Sequence, residues 1–149
     1  MLPRGEEGLL VDTGAVSNVC GQNFVDRQAA AARENGQDVQ YTILDEPKQF
    51  AGVGGEADKC RTQARVPGVL ENGAAVDYCA PVMREQGSSL PAIFALDSMA
   101  SMRTYFGSHN GLMAMVPEGC DEAIAWQTGT RFIQCRKAPS GHWMIIVSA

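Results

Sequence analysis

The stretch Leu9-Leu10-Val11-Asp12-Thr13-Gly14-Ala15 is the most informative part of the chain, because it brings one carboxylate to the end of an apolar run. Apolar residues before Asp12 are typical of a buried strand, and ionising an acid that emerges from an apolar wall is costly unless hydrogen bonds or a neighbouring group compensate. Thr13 carries a hydroxyl that can bond the turn backbone, and Gly14 permits a close chain approach that a side chain would block. The stretch therefore predicts a turn that holds an acid in place.

Two later segments accompany this acid loop. Ile93-Phe94-Ala95-Leu96-Asp97 is a second apolar run, and we expect it to pack against the acid loop. Between them lies the glycine-rich stretch Phe50-Ala51-Gly52-Val53-Gly54-Gly55, whose glycines would let a hairpin tip bend over a bound peptide. A lone Asp-Thr-Gly triplet is typical of many ordinary turns, and a lone glycine cluster is typical of a plain loop. The order of the three segments carries the argument.

In this order the segments resemble the retropepsins, the single-domain aspartic proteases of retroviruses and retrotransposons, over about Leu9 to Met102. The resemblance implies an all-β chain that forms a closed barrel with one short helix in its C-terminal half. It also implies that Asp12, Thr13 and Gly14 are catalytic. The residues that it places against substrate, in the acid loop and at the tip of the covering flap, are Ala15, Gly52, Val53, Gly54 and Gly55.

The chain departs from the family pattern at three positions. Ala95 stands where the family normally has Gly, so one more methyl group must fit between two loops. Leu96 and Val16 stand where many viral members have an Arg and an Asp that pair. Losing both partners costs far less than losing one, because no charge is left unpaired. The Leu96-Asp97 pair is nearer to retrotransposon-type and cellular ubiquitin-linked members, and we interpret Asp97 as an acid that complements a helix dipole.

The presence of a single acid loop has a consequence for assembly. An aspartic protease activates water between two carboxylates that share one proton, so this chain needs a second copy of itself. The resemblance thus implies a homodimeric endopeptidase that acts on a peptide or polyprotein, with no cofactor and no metal. Two alternatives stay open: a catalytically inactive module of the same fold that dimerises and binds peptides, and a small β-barrel interaction domain in which Asp12 is a turn acid.

Composition agrees with a single globular domain over residues 1–149. Hydrophobic residues make up 45% of the chain and charged residues 19%, which excludes a disordered tail. The net charge of −5 and the scattered lysines and arginines argue against binding to nucleic acid or to an anionic membrane. No run has the length of a membrane span and the N-terminus lacks an apolar signal core, so we expect a cytoplasmic protein.

The cysteines have no short paired spacing, and their number is odd, so the sequence predicts neither a disulfide framework nor a zinc site. Cys20 could act as a nucleophile with His109 or His142 as base, a minor alternative because no cysteine-protease signature surrounds it. The five cysteines are Cys20, Cys60, Cys79, Cys120 and Cys135.

Local patterns predict mostly strands and two helices. The first helix spans Phe24 to Asn35, with Asn23 as N-cap and Gly36 as its end, and is inserted between the catalytic loop and the flap. The second runs from Leu96 to Phe106 and ends at Gly107. Asn72-Gly73 is typical of a hairpin turn, and the apolar hairpin ending at Met144 to Val147 is the expected dimer interface. The predicted strands are Phe50–Ala51, Lys59–Val66, Val76–Met83, Leu112–Val116, Arg131–Ala138 and His142–Ser148.

Overall fold

The computed structural model describes residues 7–50, 58–70, 73–120, 125, 128–131, 135–137 and 143–144. Strands outnumber helices among these residues, which confirms the expectation of a mainly β chain. In chain order the elements are β1 (Leu9–Asp12), β2 (Cys20–Gly21), α1 (Gln22–Glu34), β3 (Gln40–Phe50), β4 (Asp58–Val69), β5 (Ala75–Met83), β6 (Ala92–Ala95), α2 (Leu96–Ser101), β7 (Thr104–Gly107), β8 (Leu112–Met115), β9 (Arg136–Lys137) and β10 (Trp143–Met144).

The strands form one sheet of four strands, in the order β2-β5-β4-β3, and three pairs, β1-β6, β7-β8 and β9-β10. Within the described ranges no sheet closes into a barrel. The chain divides into two compact units. Unit 1 comprises residues 1–11 and 18–94, and unit 2 comprises residues 12–17 and 95–149.

Unit 1 is built on the four-stranded sheet. β4 and β5 pair antiparallel from Val69 opposite Ala75 to Gln63 opposite Pro81, while β2 runs parallel to β5. One face of this sheet and one face of α1 bury a common apolar cluster, which supplies the main stabilisation of unit 1. The buried cluster consists of Cys20, Phe24, Val25, Ala64, Val66, Tyr78, Ala80, Val82 and Ala92.

Helix α1 is present where the sequence predicts it, but its first residue and its cap differ. It begins at Gln22 after Gly21, so the prediction of Asn23 as N-cap is wrong. The backbone N–H of Asn23 donates instead to the carbonyl of Ser88, 3.0 Å away, so a distant chain segment replaces a capping side chain. The C-terminal prediction is confirmed, because Gly36 follows the helix with φ +70°.

The hairpin of β3 and β4 is longer than predicted. The sequence predicts a strand only at Phe50–Ala51, whereas β3 covers Gln40–Phe50 and pairs antiparallel with β4, with a register shift between Ile43 and Lys48. β3 is an edge strand whose side chains are mostly exposed. Tyr41 and Ile43 do alternate with polar neighbours, a short strand pattern that the prediction missed, whereas residues 45–49 show no such alternation.

In unit 2 the second predicted helix is too long. α2 ends at Ser101, and the next residues form β7, so the extension to Phe106 with Gly107 as a stop is wrong. Arg103 has φ +49°, a conformation that a right-handed helix cannot continue through. The β-branched and aromatic residues that follow favour a strand, and β7 pairs antiparallel with β8, which confirms the strand predicted at 112–116.

The C-terminal strands are described only in short pieces. β9 and β10 pair antiparallel, with Trp143 opposite Lys137. β9 lies within the strand predicted at 131–138, and β10 lies within the strand predicted at 142–148. Arg131 and Cys135 belong to the first prediction but lie outside any strand. The remaining positions of those two predictions are outside the described residues, as is most of the apolar segment expected at the dimer interface.

Candidate active site

The acid loop of unit 2 begins at Asp12, a half-buried residue that ends β1. The backbone N–H of Gly14 donates to Asp12 Oδ1 over 2.8 Å, and the N–H of Ala15 donates to the Asp12 carbonyl over 3.3 Å. A carboxylate that accepts from the amide two residues later closes an Asx turn. The turn thus orients the acid through its own backbone while Thr13 lies exposed.

Gly14 leaves room for the Asp12 carboxylate in this turn. A Cβ atom at position 14 would stand 3.1 Å from Asp12 Oδ1, closer than ordinary van der Waals contact. Any side chain at position 14 would therefore crowd the carboxylate that the Gly14 amide binds. The sequence predicts that Gly14 allows a close approach that a side chain would block, and the approach is between Gly14 and the Asp12 carboxylate.

The loop is joined to the segment that the sequence predicts as its packing partner. The N–H of Leu96 donates to the Ala15 carbonyl and the N–H of Asp97 donates to the Val16 carbonyl, each over 3.0 Å. Two backbone hydrogen bonds between residues 80 or more positions apart confirm the predicted packing. Ala95 has 0% of its surface exposed, so its methyl group is accommodated in the fold.

A side-chain contact that the sequence does not predict lies beside these bonds. The hydroxyl of Ser17 donates to Asp97 Oδ2 over 3.1 Å, across 80 residues of chain. Ser17 directly follows Val16, and Asp97 directly follows Leu96. At the positions of Val16 and Leu96 many viral retropepsins have an ion pair. The presence of apolar residues at both Val16 and Leu96 was the one sequence feature that could have pointed to a different contact at the next positions, 17 and 97.

In unit 1, a buried tyrosine bonds to Val19, which follows the acid loop in the sequence, and to Ile93, which precedes Ala95. The Tyr78 hydroxyl lies 3.1 Å from the Val19 carbonyl and 2.9 Å from the Ile93 carbonyl, and the Ile93 N–H donates to the Val19 carbonyl over 2.9 Å. Burial raises the pKa of Tyr78, so the phenol stays protonated and can donate. Sequence reasoning did not single out this residue.

Cys20 is unsuited to the nucleophilic role considered for it. Its side chain is 0% exposed, and burial, with Cys60 nearby, raises the pKa of the Cys20 thiol from its ordinary value of 9.0 to about 12. The thiolate is the reactive form of a cysteine, so a buried thiol with a raised pKa is inert. Of the two candidate bases, His109 is exposed in the turn between β7 and β8, and His142 lies outside the described residues.

The flap residues Gly52, Val53, Gly54 and Gly55 also lie outside the described residues. The described part of the β3–β4 hairpin ends at the pair Phe50 and Asp58. Over the described part of the chain, no group of three or more His, Cys, Asp and Glu side chains is placed to hold a metal ion. Nor is any helix there long and apolar enough to cross a membrane.

Comparisons of the chain with protein-family models, with curated proteins and with solved structures find no match.

Proposed function

We propose that this chain is one subunit of a homodimeric aspartic endopeptidase of the retropepsin type. The observation that carries the proposal is the joining of the Asp12 turn to residues 95–97 by two backbone hydrogen bonds, with the Asp12 carboxylate held by the Gly14 amide. The Asx turn and its glycine also suit an ordinary turn acid, so the support for the proposal comes from the second segment, to which such an acid need not be joined. Cys20, the competing nucleophile, is buried.

In the proposed dimer, the Asp12 side chains of the two copies face each other across a two-fold axis and hold a water between them. One carboxylate removes a proton from the water as its oxygen attacks the peptide carbonyl carbon. The other, protonated, donates its proton to the carbonyl oxygen. Collapse of the tetrahedral diol breaks the C–N bond as the departing amine takes the proton held by the first acid. A hydroxyl of the diol returns its proton to the second carboxylate, which leaves a carboxylic acid product and restores the singly protonated pair.

The proposed substrate is an extended peptide within a polyprotein, as in retroelement processing. A peptide bound as an additional strand gains main-chain hydrogen bonds, and side-chain pockets supply selectivity. In the sequence the glycine-rich residues 52–55 lie between β3 and β4, and the resemblance to retropepsins implies that they serve as the flap. No cofactor or metal enters this reaction.

Substitution of the proposed catalytic acid tests the chemistry directly. Asp12→Asn retains the size of the side chain but cannot take the proton from water, so we expect turnover of a peptide library to fall by at least about 10³-fold. Asp26→Asn is the control, because Asp26 also accepts a side-chain hydrogen bond, from Gln22 Nε2 over 2.7 Å, within α1. Wild-type turnover in Asp12→Asn would refute the proposal.

A dilution series tests whether the active enzyme is a dimer. Because each subunit supplies one acid, specific activity should fall as dilution takes the protein below its dimer dissociation constant, in step with the mass from light scattering. Constant specific activity in a monomeric sample would contradict the proposal. Peptide binding by a dimer without turnover would favour the inactive binding module, and a monomer that ignores pepstatin-type inhibitors would favour the β-barrel interaction domain.

A further inference from the structure

Asp97 is attached to the acid loop in two ways within unit 2. Its backbone N–H donates to the Val16 carbonyl over 3.0 Å, and its carboxylate accepts the Ser17 hydroxyl over 3.1 Å. A helix acid that only complements a dipole needs neither contact. The carboxylate therefore has a partner in the loop that carries Asp12.

The Ser17–Asp97 contact pairs a half-buried hydroxyl with an exposed carboxylate over 3.1 Å. At this length and exposure the contact serves to align the two segments and adds little stability. Val16 and Leu96 are apolar and make no ion pair between these segments. The contact therefore supplies a side-chain attachment between the loop and α2 at the positions next to that missing pair.

We propose that Asp97 is a positioning residue for Asp12 and acts through Ser17, an inference that depends on the proposed protease function. A chain of contacts connects the two acids. Asp97 binds Ser17 and Val16, Leu96 binds Ala15, and the Ala15 amide closes the turn on Asp12. Asp97 touches no reacting atom in this scheme, so it is not a catalytic residue.

The effect of such a residue falls on turnover. Two carboxylates from two copies must hold one water, and a displacement of about 1 Å in a catalytic group can cost about 10²-fold in rate. Substrate binding depends on main-chain contacts along the whole peptide, which a small shift of the loop leaves in place. Loss of the contact should therefore lower kcat and leave KM nearly unchanged.

Two variants of nearly identical shape test the hydroxyl. Ser17→Thr keeps the donor, whereas Ser17→Val replaces that hydroxyl by a methyl group of similar volume. We expect Ser17→Val to lower kcat about tenfold with KM within about twofold, and Ser17→Thr to retain turnover within about twofold of wild type. Equal kcat values in these two variants would overturn the inference.

The acid is tested in the same assay. Asp97→Ala should lower kcat about tenfold, while Asp97→Asn, which retains an acceptor oxygen, should lose only about threefold. The double variant Ser17→Val with Asp97→Ala should be no slower than either single variant, because both remove one contact. Asp26→Asn is the control for loss of an exposed acid and should match wild type. Additive losses in the double variant would overturn the inference.

The two proposals fail differently. Absence of turnover in wild-type dimer, or full turnover in Asp12→Asn, overturns the protease function and the role of Asp97 with it. Turnover that needs Asp12 but is unchanged in Ser17→Val and Asp97→Ala overturns the role of Asp97 alone.

Discussion

In unit 1 the strands and α1 are held by buried apolar side chains, whereas in unit 2 the acid loop is held by hydrogen bonds among exposed or half-buried groups. Val25 and Ala80 in unit 1 are completely buried, and the rings of Phe24 and Tyr78 meet edge to face with centroids 5.7 Å apart. Around Asp12 the contacts are backbone amides and the Ser17 hydroxyl. Apolar burial is the larger source of stability and hydrogen bonds are directional. Stability and the orientation of the acid thus depend on different residues.

The largest expected effect is on the core of unit 1. Phe24 is 4% exposed and Ile43 is 81% exposed, so the two side chains differ mainly in burial. Phe24→Ala should lower the free energy of unfolding by about 3–5 kcal/mol because it leaves a cavity. Ile43→Ala should change it by less than about 0.5 kcal/mol. Urea unfolding of both variants measures the difference, and a cost for Phe24→Ala no greater than for Ile43→Ala would break the comparison.

A glycine pair in unit 1 tests close packing of its backbone. A Cβ atom at Gly21 would lie 2.7 Å from the carbonyl oxygen of Gly87 and would also collide with Ser88, whereas one at Gly68 would lie 3.9 Å from Val76 Cγ2. Backbone atoms cannot move aside like a flexible side chain. Gly21→Ala should therefore cost about 3 kcal/mol of unfolding free energy, and Gly68→Ala should be neutral or stabilise by about 0.5 kcal/mol. Similar melting temperatures in the two variants would contradict this.

Alkaline pH should weaken unit 1 through Cys20. Its pKa is 9.0 ordinarily and about 12 in the fold, so between these values the unfolded chain loses a proton that the folded chain retains. The unfolded state then binds fewer protons, and the free energy of unfolding falls as pH rises. This loss amounts to about 1.4 kcal/mol between pH 8 and pH 10 for one such group.

Denaturant unfolding at several pH values measures this loss. Cys20→Ala and Cys20→Ser remove the titrating thiol, so each should show a smaller fall in stability than wild type over that pH range. The two variants should share this reduced pH dependence even where their stabilities at pH 8 differ, which separates titration from packing. An unchanged pH dependence in both would refute the assignment to Cys20.

The smallest expected effect on stability is in the acid loop. Because Asp97 is exposed, water can replace the Ser17 hydroxyl, and Ser17→Val should change the unfolding free energy by less than about 1 kcal/mol relative to Ser17→Thr. The kcat of the same pair is expected to differ about tenfold. A loss of stability in Ser17→Val as large as that in Phe24→Ala would show that the loop, like the core of unit 1, carries global stability.

The sequence by itself determined the features that depend on neighbouring residues. The apolar run before Asp12 with Gly14 two residues later predicts the acid turn, and Gly36 marks the end of α1, because a turn and a helix end are local events. The strands at β4, β5 and β8 were also predicted, since apolar runs bounded by turn residues specify them locally.

Tertiary structure alone decided the features whose partner lies far along the chain. The carbonyl of Ser88 replaces a capping side chain at α1, and β4 supplies the hydrogen bonds along which β3 pairs as far as Gln40. The contact of Ser17 with Asp97 joins residues 80 positions apart. A hydrogen bond of this kind depends on where the fold brings two chain segments together, and that position is set by burial of the whole core and not by the residues on either side.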